Sequence, residues 1–313
     1  MEEIIINYPF YKLSDYYKEC FGKKIIKISL DAGFTCPNRD GTLSYSGCIF
    51  CSPKGSGDFA GNKEEAIKDQ FKIIKAKLHK KWPKGYYIAY FQAFTNTYAP
   101  IHILREKYNQ ALDEENVVGI SIATRPDCIS EEILSLLKEL NKKTVVFVEL
   151  GLQTSNEKTA CLINRQYKND IFETAVKELK NIGINVVVHT IFGLPNETKE
   201  DMLNTVKYVC EHKVDGIKLQ LLHVLKETKL FELYDAKLFN TLEFDEYIDI
   251  VVSALEIIPN HIVIHRLTGD GGRDNLVAPL YSIKKFHILN AIDETLKKRN
   301  TWQGKKVTDE SNL

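Results

Sequence analysis

The sequence predicts an α/β protein built from βα units around a parallel sheet, and two observations carry that prediction. Six short, apolar, β-branched runs alternate with segments of helical period up to about residue 225, the pattern of strands joined by crossover helices. The chain's 313 residues, 44% of them hydrophobic, also suffice for one large core, a length at which α/β barrels occur as single domains.

The predicted strands are KIIKISLD (24–31), YYIAYFQAF (86–94), VVGISIAT (117–124), TVVFVELGLQ (144–153), INVVVHTIFG (184–193) and DGIKLQLLHV (215–224). Residues 62–81 read as a helix. Asn62 is placed to cap its first turn, and Ile67, Phe71, Ile74 and Leu78 recur at spacings of four, three and four, giving one apolar stripe that can cover a sheet. The segment 130–143 opens on Ser130 as N-cap and 169–183 closes on Gly183, so both read as crossover helices. Past residue 225 the pattern changes. FDEYIDIVVSALEII (244–258) is helical, HIVIHRLTGDGGRDNLVAP (261–279) is a strand feeding a Gly-rich loop, and a further helix starts near 280 ahead of a basic tail.

Lys plus Arg total 42 and Asp plus Glu total 42, so the formal charge cancels and any nucleic-acid contact needs a local patch. The N-terminus lacks a basic stretch followed by a long apolar run, and no segment approaches the ~20 apolar residues of a membrane span. A cytoplasmic protein with no membrane contact is the expectation. In that setting the seven cysteines stay reduced, and disulfides do not explain their grouping.

The grouping is TCPNRDGTLSYSGCIFC (35–51), which sets Cys36, Cys48 and Cys51 in a C-x11-C-x2-C pattern. A structural zinc site wants four ligands, but the next cysteine is Cys128 and no histidine precedes His79. Buried thiols acting as small hydrophobes sit poorly among Pro, Asn, Arg, Asp, Gly and Ser. A four-iron, four-sulfur cluster on three thiolates, with one iron open to an exogenous ligand, fits the pattern best. The loop follows the first strand, and in a parallel barrel such loops form the active-site face. Cys20, Cys128, Cys161 and Cys210 are isolated in helical or strand-end contexts and read as packing residues.

With these residues in place the chain resembles the radical SAM superfamily, named for S-adenosylmethionine (SAM). The usual C-x3-C-x2-C spacing is lengthened here as in the Elongator catalytic subunit-like branch. The resemblance is greater to the YhcC/YtqA-type family, through DAGFTCPNRDGT, GCIFC, FQAFTNTYAP, IATRPDC, ELGLQT, IFGLPNET and LLHVLKETKL. One departure follows Asn164 and Arg165, where many relatives have Gly-His and this chain has Gln166 and Tyr167. The resemblance implies a partial (β/α)6 TIM-type barrel over residues 1–230 with a C-terminal α/β extension, 231–313, packed on it. It implies a [4Fe–4S] cluster on Cys36, Cys48 and Cys51, and SAM cleaved to a 5′-deoxyadenosyl radical with electrons from an external flavodoxin- or ferredoxin-type reductant. The substrate it implies is tRNA, with wobble carboxymethylaminomethyl-uridine converted to aminomethyl-uridine. A peptide or small-metabolite substrate, or a non-catalytic iron–sulfur electron carrier, is the alternative.

The same resemblance suggests where SAM sits. Phe50 would pack near the adenine. Gln92, Thr95 and Asn96, at the end of the second strand, offer acceptors for the SAM amino group, although a strand-capping turn looks similar. Glu149 lies inside an apolar strand and must meet a hydroxyl, a cation or a backbone donor; ribose hydroxyls and Arg125 are two such partners, and either keeps it facing the barrel interior, with Gln153 reaching the same region. Arg165 would pair with the SAM carboxylate, its other reading being an exposed ion pair. His189 interrupts the fifth strand and points either into the barrel or against a helix. Gly193 would let backbone approach the adenine or simply turn the chain. For RNA, residues 75–87 with Trp82 and 296–306 with Trp302 mix basic and aromatic side chains, as solvated helix faces also do. The loop 265–279 carries His265, Arg266 and Arg273 among glycines, which suits a phosphate or base as well as an ordinary turn.

Overall fold

A computed structural model describes residues 9–269, 272 and 274–307; Arg273 lies outside them. The strands are β1 (Ile25–Leu30), β2 (Tyr86–Phe91), β3 (Val117–Thr124), β4 (Val145–Gln153), β5 (Asn185–Phe192), β6 (Gly216–Leu221), β7 (Val224–Leu225), β8 (Val263–Arg266) and β9 (Leu276–Ala278). Seven of them form one parallel sheet in the order β1-β2-β3-β4-β5-β6-β8, and β7 and β9 make a small antiparallel pair. The helices are α1 (Leu13–Phe21), α2 (Ile67–His79), α3 (Ile101–Leu112), α4 (Glu131–Asn141), α5 (Glu157–Leu162), α6 (Asn169–Asn181), α7 (Lys199–Glu211), α8 (Lys229–Asp235), α9 (Phe244–Ile257) and α10 (Lys285–Lys298).

The sheet curls into a half-barrel. Lys27 on β1 meets Glu149 on β4 at 2.7 Å, although two strands lie between them, so the inner faces must turn toward each other. Period-two alternation sets the faces of β1: Ile26, Ile28 and Leu30 are buried in the main core with the helices, while Lys27 and Ser29 line an interior cavity. The helical stripes cover the outer face, where Phe71, Leu104, Leu137, Val176 and Val206 join the strand residues in that core.

The N-terminal segment closes what the open sheet leaves. Ile264 N donates to Tyr11 O at 2.8 Å, and Lys12 bridges to Ile264 in parallel sense. From there α1 runs under the barrel, and its Tyr17 packs with Ile88, Phe147 and Val187 in a separate apolar cluster. Tyr17 and Phe147 meet edge to face, with centroids 6.4 Å apart.

Three local expectations change. Asn62 does not cap α2: its Oδ1 accepts from Glu64 N at 3.2 Å in a preceding turn, and the helix starts at Ile67 with no side-chain cap. β2 stops at Phe91, because the chain turns at Phe94, which has φ +57°. The sixth predicted strand divides, β6 ending at Leu221 and Val224 pairing instead with Ala278. Ser130 caps α4 as expected, and Gly183, at φ +76°, follows α6. The strand predicted within 261–279 joins the main sheet beside β6, so residues after 230 share the barrel's own sheet. α1, α3, α7 and α8 have no counterpart among the expected helices, although the capping box formed by Thr198 and Asp201 at α7 was there to be read.

Candidate active site

The ends of the strands open into a cavity of about 840 Å³. All three loop cysteines, Cys36, Cys48 and Cys51, line it. Their loop is held from both sides. Gly47 has φ +68°, its carbonyl accepts from Asn164 Nδ2 at 2.7 Å, and Asn38 Nδ2 donates to Asn164 O at 2.6 Å. Ile49 N donates to Ile163 O at 3.1 Å, and Leu230 N donates to Ile49 O at 2.9 Å. Arg39 reaches across the loop to the carbonyls of Cys51 and Ser52, at 2.7 and 2.9 Å.

Burial pushes the Cys48 thiol up to about 12 and raises that of Cys51, with Arg125 and Arg39 pulling the other way. Alone these are neutral thiols; a bound metal would take the proton's place. Among the described residues, no three His, Cys, Asp or Glu side chains form a group able to hold a single ion. A cubane whose three thiolates go to three different irons does not require such a group. Three thiols lining one cavity, each within electrostatic reach of the others, with no fourth His, Cys, Asp or Glu grouped with them among the described residues, fit a cluster with an open iron.

Of the residues expected around SAM, Phe50, Gln92, Thr95, Arg125, Glu149, Gln153 and His189 line the cavity with the cysteines. Arg125 grips Asp127 with two bonds, of 2.9 and 2.6 Å, and lies over the ring of Tyr167; it does not meet the carboxylate of Glu149. Gln153, with φ +67°, turns its amide back over Gly151, where a Cβ would lie 2.6 Å from Nε2.

Asn96, Arg165 and Gly193 are not on the cavity wall. Asn96 is fully buried and donates to the carbonyls of Ala93 and Ala123, at 3.0 and 2.9 Å, tying the β2 exit to β3. Arg165 is fully buried as well. Its guanidinium bonds the carbonyls of Leu152, Thr154 and Tyr167 and the Asn169 side chain, so it fastens the end of β4 to the start of α6. Gly193 has φ +90°, and a Cβ there would crowd Leu242 at 3.0 Å; its place is a tight turn against the core.

Glu149 anchors a feature that was only half legible in the sequence. Oε1 accepts from Lys27 Nζ at 2.7 Å and Ser121 Oγ at 2.6 Å; Oε2 accepts from His189 Nε2 at 2.7 Å and from Lys218 Nζ. The Tyr90 ring faces both ammonium groups, at 4.7 and 4.9 Å. A hydroxyl, two cations and a histidine, with Arg125 not among them, answer its buried charge and hold its carboxyl well below the usual range despite desolvation. His189 points into the barrel, and desolvation together with Lys218 drives it down to about 4. It is therefore neutral near pH 7, with Nε2–H donating to Glu149. Lys27 and Lys218 were missed, although each is a lone charge inside an apolar strand, the signal that singled out Glu149.

Comparison with known proteins follows the same outline. The model of the Radical SAM superfamily matches residues 35–209, and that of the Radical_SAM C-terminal domain matches 214–298. The chain is 46% identical over 307 residues to the uncharacterized protein YtqA of Bacillus subtilis, covering 97% of this chain and 95% of that protein. It is 35% identical over 277 residues to protein YhcC of Escherichia coli, with 88% of each covered. The tRNA uridine(34) acetyltransferase of Methanocaldococcus jannaschii is 26% identical over 168 residues, covering 53% of this chain and 30% of that one. Among solved structures, the archaeal Methanocaldococcus infernus Elp3 with an N-terminal deletion superposes with a TM-score of 0.68 at 17% identity, over 89% of this chain and 64% of that one, a likeness of fold.

Proposed function

The chain belongs to the radical SAM superfamily, in its YhcC/YtqA-type family, and from that premise we propose that it modifies the wobble uridine of tRNA, converting carboxymethylaminomethyl-uridine to aminomethyl-uridine. It is a radical SAM enzyme, with a [4Fe–4S] cluster and SAM as its cofactors. The observation that carries the substrate reading is the charge of the cavity. Lys27, Arg39, Arg125, Lys218, Arg266 and Lys285 line it against Asp58 and Glu149, in a chain whose formal charge is zero. A local basic cavity of this kind suits a polyanion. The low-identity relative named for tRNA uridine 34 supports the same substrate class.

In this reading Cys36, Cys48 and Cys51 hold the cluster. When bound, the cluster would supply one electron for cleavage of SAM; the radical so formed would take a hydrogen atom from the carboxymethyl carbon, and return of one electron to the cluster with addition of water would release that group as a two-carbon aldehyde acid and leave the amine. Phe50 gives the adenine an apolar wall, and Gln92, Thr95 and Gln153 offer oxygen acceptors to the SAM amino group and ribose. Arg125, locked by Asp127 and Tyr167, presents a fixed cation beside them. Arg165, Asn96 and Gly193 keep this wall in place. Electrons come from an external one-electron reductant of flavodoxin or ferredoxin type.

The test is anaerobic reconstitution with iron and sulfide, followed by a dithionite-driven assay for 5′-deoxyadenosine and by mass analysis of anticodon stem-loops carrying the modified uridine. Wild type should yield 5′-deoxyadenosine and convert the stem-loop, and Cys48→Ala should do neither. SAM cleavage without conversion of any tRNA would remove the substrate reading, and a cluster that never cleaves SAM would point to electron transfer.

A further inference from the structure

A barrel interior is ordinarily filled by layers of branched apolar side chains. One layer here is polar from edge to edge: Lys27, Tyr90, Ser121, Glu149, His189 and Lys218 come from β1 to β6 in turn, and all but Ser121 face the cavity that the cysteines line. Glu149 is saturated, with two donors on each oxygen. Yet two ammonium groups share that single carboxylate, and Arg266 lines the same cavity close enough to press on the charge of both. Lys218 is nearly buried, its side chain 6% exposed, and it donates to Glu149 and to Tyr90 Oη. Lys27 is half-buried and Lys218 nearly buried on one shared anion, and desolvation with the neighbouring cations pushes Lys218 down to about 7, so this layer keeps its second positive charge only at a cost that an added anionic counter-charge would relieve.

We propose that the counter-charge is the substrate's own carboxylate, held on the cavity floor by Lys218 and Lys27 beneath the cysteine loop. The proposal rests on the wobble-uridine reading, since the carboxymethyl group is the part of that substrate that carries a carboxylate and is lost in the product. The floor would select the acid and release the product, which no longer carries the anion.

The experiment uses the reconstituted protein and three fluorescent anticodon stem-loops, bearing at the wobble position carboxymethylaminomethyl-uridine, its methyl ester, or aminomethyl-uridine. Binding is read by anisotropy. Wild type should prefer the acid to the ester by about tenfold or more. In Lys218→Met that preference should fall to within about twofold, and Lys218→Arg, which keeps the cation, should restore most of it. Circular dichroism and a Glu149→Gln/Lys218→Met double variant, which removes the charge pair together, separate loss of the anion site from loss of the fold. If wild type converts the acid stem-loop yet binds acid and ester alike, or if folded Lys218→Met still discriminates, the floor site is wrong and the function stands. If wild type neither binds nor converts any stem-loop, the wobble-uridine reading fails and takes this proposal with it.

Discussion

At the scale of single residues, the barrel interior is an exercise in keeping one buried carboxylate satisfied. Removing its charge strands two ammonium groups, so Glu149→Gln should cost about 3–5 kcal/mol in chemical denaturation, far more than a surface Glu→Gln change. His189 adds a pH dependence. Its folded pKa is about 4, below the ordinary value near 6.5, so between those values only the unfolded chain takes up the proton. Stability contributed by the neutral ring is therefore complete above about pH 6.5 and drains away as pH falls toward 4, by at most about 3 kcal/mol. Thermal melts of the metal-free protein from pH 7 to 5 should show this fall, and His189→Gln should flatten it in part, because His265 is also held well below its usual range. A His189→Gln profile as steep as wild type would assign the slope elsewhere.

At the scale of elements, the segment between α5 and α6 is the clamp on the cysteine loop. Asn164 sits at φ +57° and Gln166 at φ +68°, conformations that strain most L-residues. Asn164→Gly keeps that backbone but loses the amide bond to Gly47 O. It should cost about 1–2 kcal/mol and should speed iron loss to a chelator from the reconstituted protein. Gln166→Gly, which relieves the left-handed backbone at φ +68°, should stabilise by about 1 kcal/mol, as read by melting temperature. This clamp also shows what was legible beforehand. Strand cores were, because β-branched runs have a period of two and stand out from their helices. The cysteines and Phe50 were, because a loop crowded with ligand chemistry is visible without coordinates. Arg165 was not: its donors go to backbone carbonyls of Leu152, Thr154 and Tyr167, and carbonyls leave no mark in a sequence. Lys27 and Lys218 escaped because their partner sits more than sixty positions away, and only the curl of the sheet brings the charges together.

At the scale of the whole molecule, neutrality conceals a polarised interior. On the proposed tRNA reading, binding should weaken with salt even though the formal charge is zero, with a linear fall of log affinity against log salt concentration; a flat response would deny cationic groups a role in holding the polyanion. Tyr17→Ala, which empties the centre of the cluster under the barrel, should lower stability by about 3–5 kcal/mol. That cluster has a further consequence. Tyr17 of α1 packs beneath the cavity and Leu13 lines it, while the cysteine loop lines it at the strand ends, so a large substrate seated over that loop would stand in the path of the smaller one. Turnover should then obey a compulsory order, SAM in first and its fragments out last, so that saturating RNA slows exchange of bound labelled SAM in a pulse-chase, whereas excess SAM leaves RNA release unchanged.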